Sequence, residues 1–319
     1  MRVVFMGTPD FAVNTLEAVI KAGHEVVMVV TQPDKKKGRG KTMQFTPVKE
    51  VAVRENIPVL QPVKVREDAV LEQLKEAAPD VIVVVAYGQI LPEDILKLPE
   101  YGCINVHASL LPKYRGAAPI QWAVINGESE SGVTTMYMAK GLDTGDMIDK
   151  VVVPLLPEET GGSLHDKLAE AGAGLLVETL AKLEAGTATR TPQDDSKSSY
   201  ASMLSKALGN IDWTKPAVEI ERLIRGLSPW PSAFTYLNGK TLKLWSTKVL
   251  KEAELPQGSL IGEHAGEIVY VDKNSFIVRA GEDYINVLEL QLEGKKRMET
   301  DAFLRGYALQ AGCVLSRER

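Results

Sequence analysis

Two cysteines in 319 residues are too few for a disulfide framework or a cysteine-based zinc site. That scarcity suits a reducing compartment. Cys103, at the head of an apolar strand, reads as a small core residue. No apolar run approaches the length of a membrane span, and no charged-then-apolar leader precedes the first strand. Both absences point to a cytoplasmic chain without membrane contact. There is no basic surplus: the formal net charge is −5. This argues against a protein that coats nucleic acid, although local basic patches are what phosphates feel. Residues 209–319 hold 15 basic and 15 acidic side chains, so the deficit lies in residues 1–208. A further absence concerns the first turn. An apolar strand over 2–6 leads into Gly7-Thr8-Pro9-Asp10-Phe11 and a helix to about Ala22, with Asp10 as its cap. The G-x-G-x-x-G that lets a pyrophosphate approach the backbone is missing. A nicotinamide dehydrogenase is therefore disfavoured, and a tight βα turn is the reading kept. His24, His165 and His264 have no second ligand at metal spacing, so no metal is expected.

What is present is ordinary in bulk, with 45% hydrophobic and 25% charged residues, and long enough for two domains. Strands over 25–31 (EVVMVVT) and 80–87 (DVIVVVAY) are nearly continuous in apolar residues, as parallel strands covered on both faces are. Helical segments separate them. This predicts an α/β domain over 1–189 with a Rossmann-like, doubly wound, mostly parallel sheet. Residues 190–208 are rich in Thr, Pro, Asp and Ser and read as a linker. From 209, short alternating segments with glycine turns (AFTYLNGKTLKLWST, GEIVYV, SFIVRA, INVLELQL) predict a smaller, mostly-β domain over 209–319, an OB-like barrel.

The chemistry gathers in CINVHASLLPKYRGAAP, residues 103–119. Side chains alternate along a strand, so Asn105 and His107 share a face with Cα atoms roughly 7 Å apart. An amide and an imidazole side by side need partners once buried. A satisfied polar pair at a strand end is the ordinary alternative. A loop after a strand's carboxyl end, however, is where open α/β sheets bind ligands. Gly141-Leu142-Asp143-Thr144-Gly145-Asp146 adds a carboxylate in a tight turn. Asn105, His107 and Asp143 together can polarise a carbonyl, move a proton and orient the ring. A second feature is Gln32-Pro33-Asp34-Lys35-Lys36-Lys37-Gly38-Arg39-Gly40-Lys41, whose five cations between strands exceed what solubility requires and suit phosphates.

INVHASLLPKYRGAAP with GLDTGD resembles the folate-dependent formyltransferases. The opening VVFMGTPDF and the loop TQPD…GRGK are similar to the branch acting on charged initiator tRNA. The likeness covers nearly the whole chain and weakens after about Gly258. Several long motifs in order are far more specific than any one. The resemblance implies formyl transfer from 10-formyltetrahydrofolate to the α-amine of methionyl initiator tRNA, by a monomer needing no metal. It implies catalytic roles for Asn105, His107 and Asp143. It places the folate along Ser109, Leu110, Leu111 and Pro112 and the loop of Tyr87, Gly88, Ile90 and Leu91. It assigns Lys35, Lys36, Lys37, Arg39 and Lys41 to the tRNA. Lys140 departs from the family's pattern, in which an acidic or apolar residue stands there. Rival readings are a formyltransferase for a small amine, such as glycinamide ribonucleotide or an amino sugar, and a non-catalytic RNA-binding protein. The basic loop and the second domain speak against the first, and the intact Asn-His-Asp set against the second.

Overall fold

The chain begins β1 (Arg2–Gly7), α1 (Phe11–Lys21), β2 (Glu25–Val30).

 The second helix is α2 (Pro47–Arg54). Between β2 and α2 come β3 (Lys35–Lys37) and β4 (Thr42–Gln44). There follow β5 (Val59–Leu60), α3 (Asp68–Ala77), β6 (Val81–Val85), α4 (Glu93–Leu96), β7 (Cys103–His107), β8 (Arg115–Gly116), α5 (Pro119–Ile125), β9 (Glu130–Tyr137), β10 (Met147–Pro154), α6 (Gly161–Glu184) and β11 (Tyr200–Ala201). The computed structural model describes residues 1–37 and 42–319. Its residues fall into two units: 1–119, 130–154 and 165–201 form the first, and 120–129, 155–164 and 202–319 the second.

The first unit carries a seven-stranded sheet in the order β10-β9-β7-β6-β1-β2-β5. Pairings among β5, β2, β1, β6 and β7 are parallel, while β9 and β10 run antiparallel. The all-apolar β6 is buried along its whole length between β1 and β7, as its composition demands. Asp10 caps α1 by accepting the Phe11 N–H at 3.1 Å. One face of the sheet is covered by α6, where Gly172 lets the helix approach Val106 and Val133 closely. The other packs Val4, Met6, Ile82 and Val84 against Val70 and Leu74 of α3 and Ile95 of α4. Among the described residues, no helix is long and apolar enough to cross a membrane.

The second unit holds α7 (Ala217–Gly226), β12 (Ala233–Leu237), β13 (Lys240–Leu250), β14 (Ile268–Val271), β15 (Phe276–Arg279), β16 (Tyr284–Leu292), β17 (Met298–Glu299) and α8 (Thr300–Gly306). Its sheet runs β12-β13-β16-β15-β14, with β17 also on β16, and every pairing is antiparallel. The C-terminal segment bridges Glu267 through Val314 and Tyr236 through Ser316, tying the two edges of the sheet together. Phe276, Leu242, Ile285 and Val287 fill the core with Ile220 and Ile224 of α7. All four tryptophans, Trp122, Trp213, Trp230 and Trp245, belong to this unit, so their fluorescence reports on its unfolding. Phe276 is fully buried, and Phe276→Ala should cost about 3–5 kcal/mol. Urea unfolding followed by tryptophan emission should show the lower midpoint.

Candidate active site

β7 decides the site's layout. Val106 faces α6, so Cys103, Asn105 and His107 face the opposite side. His107 is only 6% exposed. Its Nε2 lies 2.9 Å from the Tyr114 carbonyl oxygen, which can only accept, so Nε2 carries a proton. Nδ1 is left facing Asp143, with Oδ2 3.7 Å away. That is too long for a direct hydrogen bond, but a third group can touch both. Asn105 is half-buried, and its side-chain amide makes no hydrogen bond among the described residues. The structure thus brings Asn105, His107 and Asp143 together, with one amide free to donate.

Asp143 arrives on the loop after β9. Its φ is +52°, a region that side-chain-bearing residues seldom occupy. Its Oδ2 accepts the Gly116 N–H at 2.8 Å. Gly145 has no room for a Cβ, which would stand 1.7 Å from the Tyr137 carbonyl oxygen. The segment 109–112 is braced from β9 and β10. Thr134 Oγ1 donates to Ser109 O at 2.7 Å and accepts from Leu111 N at 3.2 Å. Lys150 Nζ donates to Leu111 O at 2.5 Å, and burial lowers the pKa of its ammonium.

The residues expected to hold folate divide by exposure. Ser109 is buried and donates to Lys113 O at 2.7 Å. Leu111 is buried against Met136 and Met147. Leu110 and Pro112 are half-buried. Tyr87 and Leu91 belong to the core, and burial pushes the Tyr87 phenol up to about 12. Gly88 takes φ +86°, and Ile90 is 81% exposed. Sequence reasoning missed a cavity of about 340 Å³ lined by Leu96, Cys103, Met138, Ala139, Lys140 and Arg190, among others. Cys103 puts this cavity on the Asn105 face of β7. The departure at Lys140 was the one available signal. Arg190 stacks over the Tyr137 ring at 3.5 Å.

The basic segment begins as a hairpin, with Lys35, Lys36 and Lys37 paired to Gln44, Met43 and Thr42. Arg39 and Lys41, with Gly38 and Gly40, lie outside the described residues. At its base, Lys49 Nζ donates to Asp34 Oδ2 at 2.5 Å and to Gln61 Oε1 at 2.7 Å. Gln61 Nε2 donates in turn to Asp34 Oδ1 at 2.8 Å. Lys49 also sits 4.0 Å over the Phe45 ring.

Burial pushes the Cys103 thiol up to about 12, so thiolate is scarce at neutral pH although the residue lines a cavity. A Cys313→Ser variant should therefore react negligibly with a thiol reagent at pH 8 when native. It should release one equivalent in denaturant.

Two family models match: formyl transferase over residues 1–180 and formyl transferase, C-terminal domain, over 203–308. The methionyl-tRNA formyltransferase of Agathobacter rectalis is 61% identical over 312 residues, covering 98% of each chain. That of Clostridioides difficile is 50% identical over 315 residues, covering 99% of this chain and 100% of the relative. Among solved structures, an N-formyltransferase from Helicobacter canadensis, in complex with folinic acid and dTDP-3-aminofucose, aligns with a TM-score of 0.66 at 20% identity. It covers 93% of this chain and is itself covered completely. Matched at this identity along nearly its whole length, the chain belongs to the formyl transferase family.

Proposed function

We propose that this chain transfers the formyl group of 10-formyltetrahydrofolate to the α-amine of methionyl initiator tRNA, acting as a cytoplasmic monomer. The observation that carries the chemistry is the free Asn105 amide beside a buried imidazole whose Nδ1 lies 3.7 Å from Asp143. The amine attacks the formyl carbon, a C–N bond forms, and negative charge gathers on the formyl oxygen. Asn105 donates to that oxygen, with the His107 ring on the same face of the strand. Such a donor is worth about 2.7–4 kcal/mol. The proton shed by the amine passes to the His107–Asp143 pair. Cleavage of the bond from carbon to N10 then releases tetrahydrofolate, with a proton returned to N10.

The donor's flat bicycle is assigned to the cavity at the foot of β7, whose lining mixes apolar Leu96 and Met138 with Ala139 and Lys140. Its chain runs past Ile90, Leu110 and Pro112. The hairpin at 35–44 and the second unit hold the tRNA. Lysines there neutralise phosphates, while Arg39 can make a bidentate contact. Full-length relatives, not shared fold, favour this acceptor over a small amine.

The direct test is formyl transfer from labelled donor to charged initiator tRNA, with free methionine and glycinamide ribonucleotide as controls. Transfer only to a control would reject the assignment. Asn105→Ala, His107→Ala and Asp143→Ala should each lower turnover at least about a hundredfold. Donor affinity, measured by fluorescence titration, should change far less. Arg39→Ala should weaken activity on the tRNA and leave donor affinity intact; unchanged activity would remove Arg39 from the acceptor site.

A further inference from the structure

Residues 190–201 hold none of the three groups that touch the reacting atoms, yet one of them is tied into the loop that presents Asp143. We propose that Gln193 is the positioning residue that holds Asp143 against His107. The inference rests on the role given to Asp143 above.

A glutamine amide has two N–H donors and an oxygen with two lone pairs. Gln193 uses all four. Nε2 donates to the carbonyl oxygens of Asp143 and Gly145, each at 2.8 Å. Oε1 accepts from Arg115 Nε at 3.0 Å and Nη2 at 2.9 Å. Turning the amide over would set oxygen against two carbonyls and NH₂ against a guanidinium, so the network fixes its orientation.

The residue next to Arg115 completes the frame. Gly116 N–H holds the Asp143 carboxylate, and the Tyr114 carbonyl holds His107 Nε2. Asp143 is gripped at its main chain through Gln193 and at its side chain through Gly116. His107 is gripped by the same three-residue stretch, 114–116. That stretch is itself fixed by β11, through Arg115 N to Ser199 O and Ala117 N to Ala201 O, both at 2.9 Å. A residue at φ +52° persists only where its surroundings over-determine it. Gln193 supplies two of those restraints, and its side chain is no part of the apolar core clusters.

The isosteric change Gln193→Glu separates the two halves of the clamp. A carboxylate keeps Arg115 as a partner but offers no N–H to the two loop carbonyls. We expect a folded protein with kcat lowered at least about tenfold and KM for the donor nearly unchanged, as misplacement of a reacting group gives. A double-mutant cycle with Asp143→Asn provides the readout that a merely structural role would not move. In the Asp143→Asn background, Gln193→Glu should have almost no further effect on kcat. An equal proportional loss in both backgrounds, or parental kcat in Gln193→Glu, would overturn the inference while leaving the proposed function standing. Parental turnover in Asp143→Asn would instead remove the role of Asp143 and this inference with it. If Gln193→Glu does not fold, the cycle is run with Gln193→Asn, which is one methylene too short to span both partners, and the same outcomes decide.

Discussion

The period-two alternation of one short strand sets the terms for everything else in the first unit. β7 must give one face to α6, and Val106 with Gly172 settles which. Cys103, Asn105 and His107 then share the other face whether or not chemistry requires it. A shift of one residue in register would bury the amide and the imidazole under α6 and turn Val106 toward the cavity. The strand is pinned against that slip from both sides, by β6 through Val84 and Asn105 and by β9 through Thr134 and His107. The apolar β6 is thus more than filler: its burial holds the register that aims Asn105 and His107.

The strand supplies only two of the three groups, and the third comes from a loop that folds back toward it. Such a loop has few apolar contacts to hold it, so its position depends on directed hydrogen bonds. The backbone N–H of Gly116 and the carbonyls of Asp143 and Gly145 do that work. Each of these bonds is individually modest, at about 0.5–1.5 kcal/mol. Their value lies in direction, because two bonds to carbonyls two residues apart fix the plane of a turn as well as its place.

This division explains what could be read from the sequence. Long apolar runs and the spacing of Asn105 and His107 are local patterns, and β6, β7 and the parallel sheet follow from them. The change to short alternating strands likewise announces an antiparallel sheet in the second unit. Gln193 was not legible, because its partners lie 78, 50 and 48 positions away and two of them are carbonyls, which every residue has. A stretch rich in Thr, Pro, Asp and Ser resembles a linker even when, as here, one of its residues is tied into the Asp143 loop. The cavity was hidden for a similar reason. Leu96, Cys103 and Met138 come from three separate segments, and each alone looks like core.

A chain that is acidic overall carries a run of cations from Lys35 to Lys41. Between Pro33 and Lys49 the sequence has one acid, Asp34, and five cations from Lys35 to Lys41. Left free, Asp34 would offset part of that charge where the hairpin begins. Instead its carboxylate is engaged by Lys49, and then by Gln61, whose hydrogen bonds lower its pKa. Lys49 lies beyond the hairpin, so the acid is neutralised by a cation from α2 rather than by one of the five. The same ion pair joins the two ends of the segment, and Phe45 under the Lys49 ammonium adds a second tie. A net charge of −5 is therefore no obstacle to an anionic partner, since the field a phosphate meets is set by charges within about a Debye length, roughly 8–10 Å at moderate salt.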